Sequence, residues 1–91
     1  MYYYNSHMSK KMQTSKNIDL THKLIEYLVK GKNVPDLPQD VSFVPFSKTD
    51  KKLNQANEEL LESLSSKEKP VIKAEEPKTN SGVWKLIPVN F

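Results

Sequence analysis

The stretch SKEKPVIKAEEPKTNS (residues 66–81) decides how the chain is divided, because it separates two helical patterns before it from a last apolar run after it. Rich in Lys, Glu, Pro and Ser, it has the composition of a segment that buries too little apolar surface to offset its chain entropy, and it reads as a disordered linker. On that reading GVWKLIPVNF (82–91) is an isolated apolar cluster. It is either a clasp that returns to the helices or a short linear motif that awaits a partner.

Working back from the linker, Leu53, Ala56, Leu60 and Leu64 recur at spacings of three and four with Leu61 alongside, which predicts an amphipathic helix over 48–65. SKTD (47–50) matches a capping box at its start. Lys51 and Lys52 fall in the first turn and Glu58, Glu59 and Glu62 later, an order that opposes the helix dipole. Packing must therefore hold this helix.

A first helix is predicted over 18–30, where Leu20, Leu24, Tyr27 and Leu28 share a face with Ile25 beside them. Asn17 or Asp19 can cap its start, and Gly31 stands where a left-handed C-terminal cap is wanted, with Lys30 in the last turn. KNVPDLPQDVSFVPF (32–46) carries Pro35, Pro38 and Pro45, which fix φ, remove donors and push their predecessors to extended conformations. An extended strap follows, with Val34, Leu37, Val41, Phe43, Val44 and Phe46 available to fold back on the helix; a strand over 41–44 has no evident hairpin partner. MYYYNSHMSKKMQTSK (1–16) has no period and reads as a disordered tail.

Composition agrees with partial order. In 91 residues, 36% are hydrophobic and 27% charged, with a mean hydropathy of −0.68, and a chain of this size buries only about 60–65% of its extended surface even when fully folded. Without cysteine, neither a disulfide framework nor a thiolate metal site compensates. No apolar run approaches the roughly 20 residues of a membrane-spanning helix, and residues 1–13 have no signal-peptide core, so a cytoplasmic protein is expected. All 14 basic residues are lysines against 11 acids, a net charge of +3. Without arginine forks, specific nucleic-acid reading is not expected of this chain.

The expected fold class is mainly α, small and partly disordered: two short amphipathic helices joined by a proline-rich strap, between a disordered N-terminal tail (1–16) and a C-terminal linker (66–81), with 17–65 as the helical module. Catalytic groups are scarce. His7 lies in the tail, and His22, with Asp19 and Glu26 at spacings of three and four, reads as a surface histidine with ion-pair neighbours. Two glycines make no phosphate loop, and no metal-ligand spacing occurs. No enzyme, cofactor or metal is expected.

Binding is the function that remains, by a helix face or by a linear motif. The expected partner-binding residues are Leu20, Leu24, Ile25, Leu28, Val34, Pro35 and Leu37 as one docking surface, and Trp84 with Leu86 as another, since a lone tryptophan beside aliphatics is the kind of anchor that carries interface energy. A structural subunit packing its second helix in a larger complex, and a lysine-rich RNA-associated protein stacking bases on Tyr2, Tyr3 and Tyr4, are the alternatives.

IDLTHKLIEYLVKGKNVPDLPQDV (18–41) resembles the short module of the KPWE-motif proteins, which include the tail of the peroxisomal docking peroxin in plants and small fungal relatives. Leu24, Ile25, Gly31, Lys32, Val34, Pro35, Leu37 and Pro38 occupy the places of that family's helix, Gly-Lys and aliphatic-Pro steps. The Lys/Arg-Pro-Trp-Glu that completes the family's signature is absent; Trp84 stands in Val-Trp-Lys-Leu instead. The resemblance implies a noncatalytic accessory of peroxisomal matrix-protein import, acting on protein partners of the import machinery.

Overall fold

A computed structural model describes residues 8–31, 40–67, 69–79 and 82–90. The chain is a mixed α/β fold: helix α1 (Lys10–Lys30), strand β1 (Ser42–Phe46), helix α2 (Lys51–Ser65), and strands β2 (Val71–Glu75) and β3 (Lys85–Pro88). The strands form one sheet in the order β1-β2-β3, with β1 parallel to β2 and β2 antiparallel to β3. The mainly α expectation is therefore corrected in three places. The N-terminal tail supplies the first half of α1 from Lys10, the strap supplies β1, and the linker supplies the central strand. The rest of the strap, 32–39, and residues 1–7 lie outside the described residues.

Side-chain alternation along paired strands gives the sheet two faces. On one, Val44, Phe46 and Val71 form a cluster with Leu61, flanked by Leu60 and Leu64 of α2. On the other, Ala74 packs with Leu20 and Leu24 of α1, with Leu53 and with Trp84, while Phe43, Leu86, Tyr27 and Leu28 close around them. Leu53 from the start of α2 thus reaches one cluster and Leu61 from its later turns the other. The two strands that α2 joins are parallel and adjacent, which requires a crossover and explains why β1 has no hairpin partner.

Both outer strands carry a proline where an amide would face away from the sheet. Ser42 N donates to Pro70 O and Glu76 N donates to Phe46 O, each at 2.9 Å, so residues 42, 44 and 46 turn their backbone groups toward β2 and Pro45 turns away. The Asn57 side chain from α2 covers that outward carbonyl, Nδ2 donating to Pro45 O at 2.8 Å. On β3, Val89 N donates to Val71 O at 3.0 Å, which by alternation points residues 85 and 87 at β2 and Pro88 outward. A proline tolerates only such a position in a sheet.

The caps differ in detail from the expected ones. Ser9 Oγ accepts from Met12 N at 3.1 Å, starting α1 well before Asn17. Asp50 is the N-cap of α2, accepting from Leu53 N at 3.1 Å, while Ser47 Oγ accepts from Asp50 N and Thr49 N and so forms the turn that leads in. Gly31 is extended, at φ −75° and ψ 139°, rather than left-handed. Its need for glycine is steric: a Cβ would stand 2.9 Å from Tyr27 O, the carbonyl that accepts the Gly31 N–H.

Candidate functional site

The first half of α1 is held by amides and ions rather than by apolar contacts. Asn57, fully buried, uses all four of its hydrogen-bonding positions: besides Pro45 O, Nδ2 donates to Asn17 Oδ1 at 2.8 Å, and Oδ1 accepts from Gln13 Nε2 and Asn17 Nδ2 at 2.9 Å each. One turn away Lys16 Nζ meets Asp50 Oδ2 at 2.6 Å. That hydrogen bond, with the capping bond from Leu53 N, holds the Asp50 carboxyl below its usual value of 3.8.

With α1 docked in this phase, its expected binding face is divided. Leu20 and Leu24 are buried in the chain's own core and Leu28 is half-buried against it. Ile25 points away, and Ile18 and Val29 join it: the three are 53%, 51% and 79% exposed in the order Ile18, Ile25, Val29. Spacings of seven and four put them on one line along the helix, opposite Leu20 and Leu24. Sequence reasoning passed over Ile18 and Val29 because the inward stripe satisfies the helical period by itself. The signal was present as a second apolar phase in the same helix.

Trp84 is only 6% exposed and belongs to the core, and Leu86 is half-buried beside it. Val34, Pro35 and Leu37 lie outside the described residues, as do Tyr2, Tyr3 and Tyr4. The stripe of α2 expected to pack in a larger complex is used internally by Leu53 and Leu61.

One recess among the described residues is a groove of about 490 Å³ beside Trp84. Tyr27 and Lys30 of α1 form one wall, Lys48 after β1 another, Glu76 and Thr79 follow β2, and Trp84 lines it from the core side. Glu76 accepts from Lys48 N at 3.0 Å and pairs with Lys23 Nζ at 3.4 Å. Gly82 closes the loop side, where a Cβ would lie 2.7 Å from the Pro77 Cβ. None of the groove's polar residues was singled out from sequence as a set, since they come from α1 and from the segments that follow β1 and β2, and only the fold brings them together.

His22 is exposed on α1, and no three His, Cys, Asp or Glu side chains among the described residues stand close enough to share a metal ion. No described helix is long and apolar enough to cross a membrane. Comparison with protein-family models, with curated proteins and with solved structures finds no match for this chain.

Proposed function

We propose that the chain is a noncatalytic protein–protein interaction adaptor that docks a partner on the outer face of α1. The observation that carries the reading is the second apolar stripe, Ile18, Ile25 and Val29, left facing outward after Leu20 and Leu24 are used in the core. An isolated exposed aliphatic needs no explanation, but three in line along one helix are the anchors by which a helix face meets an apolar surface. In its narrower form, which rests on the resemblance of 18–41 to the KPWE-motif module, the partner belongs to the peroxisomal import machinery. Of that module's Leu24–Ile25 pair, Leu24 serves the fold and Ile25 serves the partner.

Affinity capture with the full chain, compared with Ile25→Asp and with Ile18→Asp combined with Val29→Asp, tests the reading. These positions are solvent-exposed, so the variants should keep the parent's circular dichroism and unfolding midpoint while losing the captured partner. A fluorescent fusion that gathers at peroxisomes through the same residues supports the narrower form. Undiminished capture by both folded variants refutes the docking face.

A further inference from the structure

The groove beside Trp84 has a place in the topology as well as a volume. Lys48 lies just beyond the end of β1, and Glu76 and Pro77 just beyond the end of β2, so it opens at the carboxyl ends of the two parallel strands. Loops leaving parallel strands diverge there, and the crevice between them is the usual ligand position in open sheets of this kind. At about 490 Å³ it is large enough for several residues of an extended segment.

Its charges do not cancel. Glu76 is satisfied twice, by the Lys23 ammonium and by the Lys48 amide, and its side chain is 8% exposed. Glu26 is the other carboxylate on the lining, which also carries two further ammonium groups, Lys30 on α1 and Lys48 after β1. Among the described residues, neither of those lysines has a carboxylate within ion-pair distance. The same lining carries Tyr27, Val83, which is largely exposed, and Trp84.

We propose that this groove binds an acidic, extended peptide segment of a partner protein, with carboxylates at Lys30 and Lys48 and an apolar residue against Tyr27 and Val83. The site is separate from the outer face of α1 and does not depend on docking there.

The test uses the full chain and its single tryptophan, Trp84, as the reporter. A synthetic peptide alternating glutamate pairs with leucine is titrated against the chain, alongside the same peptide with glutamine for glutamate and alongside inorganic phosphate, with calorimetry as a second readout. The glutamate peptide should saturate, and the glutamine peptide should not at tenfold higher concentration. Lys30→Ala and Lys48→Ala should each weaken binding about two- to fivefold, the range of solvated ion pairs. Lys30→Glu combined with Lys48→Glu should weaken it by about tenfold or more, because attraction becomes repulsion at both ends. Ile25→Asp should leave the affinity unchanged, which separates a failure here from a failure of the docking face. Equal binding of the glutamine peptide, saturation by phosphate at the glutamate peptide's concentrations, or no heat and no emission change with the glutamate peptide would each overturn the proposal.

Discussion

Asn57→Ala is the substitution that most directly asks how so polar a chain holds together. The truncation removes four hydrogen bonds at once, to Gln13, to Asn17 twice and to the carbonyl of Pro45. The Pro45 carbonyl is left without that donor at a buried position, costing about 1–3 kcal/mol, while each bond to the half-buried amides of α1 is worth roughly 0.5 kcal/mol because those groups can turn to water. The sum is about 2.5–4.5 kcal/mol, a large part of the roughly 5–15 kcal/mol that holds a small domain folded. For a chain of this length, that lowers Tm by on the order of 15–25 °C. Urea unfolding followed together by circular dichroism and by Trp84 emission gives the free energy and shows whether helix and core melt as one. The double variant with Asn17→Ala should cost about 1 kcal/mol less than the two single variants added, since they share two bonds. A loss below about 1 kcal/mol at unchanged urea dependence, or strict additivity, would refute the claim that this cluster ties α1 to the sheet.

Two further outcomes follow from the caps and edges. Asp50 is depressed below 3.8 chiefly by its hydrogen bond to Lys16, so its contribution to stability is complete above the unfolded value and disappears as the pH falls through the lower folded value; Lys16→Met should move the Asp50 carboxyl upward in an NMR titration, and an unmoved titration would sink the assignment. Pro88→Thr restores an outward amide on β3 and should make the chain associate with rising concentration in sedimentation velocity, whereas a variant as monodisperse as the parent would show that the proline does not guard that edge.

The helices were legible because their apolar residues recur within a few positions of one another. Leu20 and Leu24 were read in the right phase, and α2 was read nearly to its ends, Lys51–Ser65 against an expected 48–65. The first half of α1 was not legible, since what fixes it are partners 34 to 44 residues away, Asp50 and Asn57. A search for apolar periodicity gives an amide cluster no weight. The linker misled for a related reason. Lys73 and Glu75, which made the segment look solvated, stand on the sheet surface: Lys73 Nζ lies 4.5 Å from the Phe46 ring centroid and 3.5 Å from Glu75. Val71, Ile72 and Ala74 are buried between them, enough for a five-residue strand and too few to shift a composition average. VIKAE and KLIP pair as a hairpin, yet in sequence they stand nine residues apart, beyond the two- to five-residue spacing by which a hairpin declares itself.

The same polar economy bears on where a partner can sit. A sheet edge recruits another strand through a row of free amides and carbonyls. Here β1 offers Pro45 with its carbonyl already taken by Asn57, and β3 offers Pro88, so strand addition meets a missing donor on either side. Under the proposed binding function, recognition is thereby left to side chains. The apolar ones stand in line on the outer face of α1, and the cationic ones gather at the carboxyl ends of β1 and β2. A partner that binds this chain by extending its sheet would contradict that reasoning more directly than the loss of any single contact, and amide exchange of Leu86 in the bound and free chain would reveal it: protection gained there on binding means strand addition, and unchanged exchange means the side-chain surfaces carry the complex.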